Sequence, residues 1–434
     1  MIFFVTGKLP HKTGNGSSVL TYALMNCFIK LGFEITIVPV HLRYDNKQEQ
    51  LKHLNSLKQS GIRVKMFDDI KYPRKTTSRL ARLRQIISPQ VDDYYHYSDS
   101  LKPELLSFLE RQDKQNTVLT AYSWQAVALI SNIKGFLKIA TVVDPIEKYL
   151  ELRRELTPTG IRRKIRHKMN LLRARKQPTY AYDVLRKMNI VIEHAYHHTL
   201  SLVEKGYKNA YYIPHPLPVQ EAIEFRTNPN NTTVLISGSL KGTASRHGFL
   251  FFLNEILPRF KKRRQELSTD VTFRVVGHGK MEKSLRSRLE KEPLVDFVGF
   301  VDSMEDAYKN ADIILVNIPV TLGFRTRIAE AFSYGLCVVT HAANAEGMPE
   351  IQDKENAISD SNPERLVDEL VRLINEPISR QEFGENAKLT FDYEMSEPIA
   401  VKRLEAIFMA HRVLPIIRDK KRKKAGIMVG ASKV

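Results

Sequence analysis

The residues most able to do chemistry lie in 311–340, ADIILVNIPVTLGFRTRIAEAFSYGLCVVT. An apolar strand, a Gly-opened loop and a helix follow one another there, and that order builds an anion site. Gly323, followed by Phe324, lets the backbone approach a ligand closely. Arg325 and Arg327 add fixed cations to the positive end of a helix expected from Arg325 to Tyr334 and stopped by Gly335. Glu330 sits about one turn in, where a carboxylate accepts two hydroxyl hydrogens. A phosphate beside a polyhydroxyl group is the ligand such a corner suits.

The elements that must hold these residues read as strands and helices in alternation, twice over. IFFVTG, FEITIVPV, RVKMF, TVLTAY, KIATVVD and NIVIE form a first series of short apolar strands with helical segments between them. After the Pro- and Asn-rich stretch around 214–230 the pattern restarts with TVLISGS, VTFRVVG, VDFVGF, ADIILVNI and LCVVTH. The expectation is an α/β protein of two Rossmann-like domains with parallel sheets, at 1–215 and 216–395, then a helix and a basic tail at 396–434.

The 434 residues, 43% of them hydrophobic, can bury more than one core. Two cysteines, Cys27 and Cys337, allow neither a disulfide framework nor a Cys-based metal site. MIFFVTGKLP enters a strand directly and no stretch approaches a membrane span, which predicts a cytoplasmic chain.

Lys and Arg exceed Asp and Glu by 67 to 48, a net charge of +19. The excess is clustered in 71–87, 153–176 and 418–424. In the second cluster Ile161, Ile165, Met169 and Leu172 recur at helical spacing among Arg and Lys, so this helix either lies in an anionic membrane interface or packs its stripe on the domain. The first reading places the protein peripherally at the inner membrane face. Aromatics are sparse in these clusters, which argues against nucleic acid. His194, His197 and His198 lack a carboxylate at ligand spacing and read as a turn cap, and no Asp-x-Asp pair stands at a strand end; no metal site is expected.

The segments 238–258, 275–285, 297–319, 323–341 and 345–348 resemble, in order and interval, the donor domain of GT-B glycosyltransferases, most nearly the retaining family 4 enzymes. The first half resembles the acceptor domain more weakly, through 13–38, 121–129, 141–154 and 211–218. The resemblance implies that Gly238 approaches the donor pyrophosphate, that Lys241 or Arg246 supplies a loop cation, and that Gly277 and Val298 with Gly299 border the nucleoside. Glu330 matches the second carboxylate of the family's Glu, seven residues, Glu pattern, with Leu322 in place of the first. GFRTR (323–327) is similar to the Gly-x-basic-x-basic run of a subset of the family, which gives Arg325 and Arg327 the phosphates. Gly14 and Gly16 match the Gly loop that faces the donor. Asp144 matches the acid of a His-Asp pair whose His is Val143 here; Asp144-Pro145 is also an ordinary helix cap.

The function so implied is transfer of a sugar from a UDP- or GDP-linked donor to a lipid-linked or polysaccharide acceptor, retaining, with no cofactor. A sugar-nucleotide epimerase or hydrolase would need a dedicated acid/base pair that the chain does not display. A catalytically silent membrane or polyanion scaffold fits the charge and the missing Glu and His.

Overall fold

The structure is a computed structural model that describes residues 1–12, 16–40, 47–67, 101–142, 145–155, 160–224, 230–240 and 242–413. Asp144, Lys241, Gly14 and the basic segments 71–87 and 418–424 lie outside the described residues.

The chain divides into two compact units, the first holding Met1–Glu193, Thr199–Pro216 and the chain from Ala400, the second His194–His198 and Leu217–Ile399. Each is built on an all-parallel sheet. In the first, β1 (Ile2–Thr6), β2 (Ile35–Pro39), β3 (Arg63–Val64), β4 (Val118–Tyr122), β5 (Leu137–Thr141), β6 (Ile190–Glu193) and β7 (Ala210–Tyr212) run in the order 3-2-1-4-5-6-7. In the second, β8 (Asn231–Ser237), β9 (Asp270–Val276), β10 (Val295–Gly299), β11 (Ile313–Val316), β12 (Cys337–His341) and β13 (Ile358–Asp360) run 10-9-8-11-12-13. The interior strands are unbroken apolar or β-branched runs because helices cover both faces; β1, β2, β4 and β11 are buried at every position.

These orders are doubly wound, and each sheet reverses direction once: between β1 and β4 in the first unit, between β8 and β11 in the second. Crossovers leave to opposite faces at such a point, so the loops after the two strands part and leave a crevice beyond their carboxyl ends. The second unit's core joins Phe273 to Phe252 and Phe260, with ring centroids 5.1 and 5.0 Å apart. Its helix after β8 runs Thr243–Phe251, widens into a π turn at Phe252–Ile256 and continues as Leu257–Lys262, with Pro258 near the restart.

β7 and β13 were not anticipated from sequence. Each has three residues at a sheet edge, too few to show a period, and β7 falls in a stretch read as a break.

Candidate donor site in the second unit

The sequence-predicted donor residues described in the second unit lie at the ends of its strands or on the loops and helices that follow them. Gly238 comes directly after β8 and takes φ +138, a backbone region essentially closed to residues with a Cβ; its N–H donates to the Val276 carbonyl at 3.1 Å. A side chain there would run into the Arg327 guanidinium. Gly277, directly after β9, has an unlike reason to be glycine: a Cβ would collide with the Gly238 carbonyl. Its N–H donates to Gly299 at 2.6 Å, so the ends of β8, β9 and β10 meet main chain on main chain. Val298 is the residue skipped where the β9–β10 register shifts, a bulge that takes its backbone out of the ladder and turns its side chain toward solvent.

Across the reversal, β11 leads through the 317–325 loop into the helix Thr326–Ser333. Arg327 in its first turn is half-buried and donates from Nη1 to the Ser237 carbonyl at the end of β8. Glu330, one turn on and also half-buried, accepts from the Tyr308 hydroxyl at Oε2, 2.8 Å away, which leaves Oε1. Tyr308 comes from the helix Met304–Lys309 and is itself buried. Desolvation lifts the Glu330 carboxyl above its ordinary range, against the opposing pull of the Tyr308 hydrogen bond and the Arg327 charge. The Tyr308 hydroxyl is held well above its usual value by burial and by the neighbouring carboxylate, so it stays a donor.

Arg325 plays a different part from Arg327. It stands at the non-helical cap position, buried, with Nε donating to Asn344 Oδ1 at 2.6 Å and Nη2 to the Val320 carbonyl at 2.8 Å. Asn344 in turn donates to the Val316 carbonyl at 3.1 Å and to Thr340 Oγ1 at 3.0 Å. Arg325 therefore ties the loop after β11 to the turn Ala342–Gly347 after β12. Gly347 lies so close to the Gly323 carbonyl that a Cβ would clash with it. Phe324 is half-buried against the second unit's apolar cluster, and Leu322 is buried.

Arg246, in the first turn of the helix Thr243–Phe251, pairs with Glu282 at 3.1 Å from Nε and 2.9 Å from Nη2. Gly16 opens the helix Gly16–Lys30 in the first unit, exposed, with nothing within 4 Å of where a Cβ would stand. Among the described residues no group of three or more His, Cys, Asp or Glu side chains is placed to hold a metal.

The structure thus gathers Gly238, Gly277, Arg327 and Glu330 around the β8–β11 crevice and adds two residues that the sequence did not single out, Tyr308 and Asn344. Both act on partners about 20 residues away, on other elements, so no local spacing marks them.

Two doubly wound units in one chain are the architecture of the GT-B type, and the second sets a glycine turn, a helix N-terminus, a cation and a carboxylate at the reversal of its sheet. Residues 231–376, about a third of the chain, match the family model "Glycosyl transferases group 1", and the chain is a glycosyltransferase. Its fold is similar to that of HepE of Anabaena, solved with UDP and glucose, at 14% identity and a TM-score of 0.62 over 94% of this chain and 99% of that one. TarM of S. aureus, solved with fondaparinux, alpha-GlcNAc-glycerol and UDP, is similar at 12% identity and a TM-score of 0.64 over 94% and 99%. The lipopolysaccharide outer core galactosyltransferase WaaB gives 11% identity and a TM-score of 0.56 over 94% and 99%. No curated protein matches the chain in sequence.

Proposed function

We propose that this glycosyltransferase moves a hexose from a UDP-linked donor to a lipid-linked or polysaccharide acceptor at the cytoplasmic face of an anionic membrane, with retention of configuration and without a cofactor. The observation that carries the donor half is the convergence of Gly238, Arg327 and Glu330 on the crevice between β8 and β11. The diphosphate lies over the Gly238 turn, within reach of Arg327 and of the N-terminus of Thr326–Ser333; Glu330 Oε1 accepts from a ribose hydroxyl. When the glycosidic bond to phosphate breaks, the electron pair leaves with the nucleoside diphosphate and the sugar becomes oxocarbenium-like. Arg327 and the helix dipole are already oriented toward that growing negative charge, so little reorganisation is needed as it forms. Arg325 keeps the Gly323 loop in place, and Asp144 is the acceptor-side carboxylate of this reading.

UDP is favoured over GDP because HepE and TarM were both solved with UDP. Retention rests on the resemblance to family 4. A lipid-linked or polysaccharide acceptor agrees with the lipopolysaccharide substrate named for WaaB.

The test is nucleotide release from UDP-, GDP-, ADP- and TDP-sugars with membrane extract as acceptor source. Acceptor-dependent release of UDP is expected, with Glu330→Ala raising the donor KM roughly ten- to a hundredfold, the loss of one hydrogen bond to a charged group at about 1.5–3 kcal/mol. Release from none of the four, with no thermal stabilisation by any nucleotide, would overturn the transferase reading.

A further inference from the structure

The helix Ile161–Ala174 in the first unit is amphipathic in an inverted sense: its apolar stripe faces away from the protein. Ile161 is 78% exposed, Ile165 56%, Met169 40% and Leu172 43%. Ile161 is the most exposed large hydrophobic residue among those described. The alternative in which this stripe packs on the domain is therefore not met. The helix is attached by another face, through Leu171 and Ala174 against the first unit's core, with His167 half-buried beside them.

At about 100° per residue the four apolar side chains fall within roughly 80° of arc, and the attaching residues lie on the far side of the helix. Arg162 and Arg166 follow the stripe on one flank, Lys164 and Lys168 on the other. None of these four is paired with a carboxylate among the described residues, and no Asp or Glu occurs between Glu155 and Asp183. A protein partner would need its own apolar patch bordered on both sides by acid. A bilayer with anionic headgroups offers that arrangement everywhere on its surface, an apolar interior beneath a negative plane. The helix is about 21 Å long, enough to lie in the interface and too short to cross it. No described helix is long and apolar enough to span a membrane.

We infer that Ile161–Ala174 is the membrane-docking element of this protein, lying parallel to an anionic lipid surface with Ile161, Ile165, Met169 and Leu172 among the acyl chains and the flanking cations among the headgroups. The inference rests on the membrane-face reading above for its setting and gives that reading its residues.

The experiment uses the full chain and vesicles of phosphatidylcholine, with and without phosphatidylglycerol, in a sedimentation assay. Binding to the anionic vesicles and not to the neutral ones is expected, weakening as salt is raised. Ile165→Ser with Met169→Ser, both exposed and outside the core, is expected to lower vesicle affinity at least tenfold, as is Arg162→Glu with Arg166→Glu. Thermal stabilisation of the protein by UDP in the absence of membranes serves as the control and stays unchanged in both variants, since neither touches the donor site. Wild-type affinity in either variant would overturn the inference, with the basic segments 71–87 and 418–424 then carrying the binding. Self-association that the variants abolish, without vesicle binding, would overturn it in favour of a second copy. Loss of nucleotide release in the wild type with vesicle binding intact would instead overturn the transferase reading and leave the docking helix standing.

Discussion

Glu330 combines two demands that conflict: a carboxylate must be ionised to accept strongly from a ribose, yet it is held half out of water. Burial lifts its carboxyl above the ordinary value of 4.5, so the folded protein takes up this proton at a higher pH than the unfolded chain does. The resulting stabilisation is complete below the ordinary value and is lost as pH rises through the raised one. Donor binding runs the other way. Calorimetric titration with UDP should show affinity falling on acidification, with a midpoint above 4.5 that Glu330→Gln abolishes. Tyr308→Phe removes the hydrogen bond that restrains this shift, so the midpoint should move further up, the donor KM should rise more than kcat falls, and about 1.5–3 kcal/mol of stability should be lost in denaturant titrations. At this scale Arg327 and Glu330 stood out from the Gly-opened strand-to-helix run itself, whereas Gly238 and Gly277 were reached only through the resemblance to the GT-B donor domain. Tyr308 was not legible, nor was the capture of Arg325 by Asn344, since both depend on which helix and which turn arrive beside the loop.

Among the elements, the alternation of strands and helices was readable from apolar runs bounded by turn residues, and it sufficed for two parallel sheets; the reversal within each depends on strand order, which no local pattern carries. The conformation of the connection after β4 was not readable. Ser123 caps the helix Trp124–Ser131 with φ 84 and ψ 151, a region that a side chain enters at a cost of about 1–3 kcal/mol, and its hydroxyl is buried without a hydrogen-bond partner. Ser123→Gly should therefore stabilise the protein by about 1 kcal/mol and raise its Tm by a few degrees in calorimetry. A drop in Tm would mean that the hydroxyl, and not the backbone, decides the energetics of this turn. The helix Ile161–Ala174 is a second instance: its period was plain in sequence, but whether the stripe met the core or the solvent depended on Leu171 and Ala174 taking the opposite face.

For the whole molecule, the helix Glu397–Ala410 decides how the chain is completed. Its sequence begins beside the second unit, where Ser396 bridges to Leu217 and the Glu397 N–H donates to the Leu217 carbonyl at 2.8 Å. It ends in the first unit, where Phe408 packs on Phe28 and Phe33 with centroids 5.9 and 5.8 Å away and Tyr211 hydrogen-bonds His411 at 2.7 Å. Phe408→Ala should cost about 3–5 kcal/mol and should lower hydrogen-exchange protection in Ile2–Thr6 while leaving Asn231–Ser237 largely as it was. The residues that close the first unit thus leave the ribosome only after the whole of the second unit. The intervening 217–399 span is nearly contiguous and has its own core, so it can fold during translation, while the first sheet waits with Phe28 and Phe33 uncovered. The order of synthesis and the order of completion are reversed, and a nascent chain stalled before residue 400 exposes the hydrophobic surface that a holding chaperone recognises.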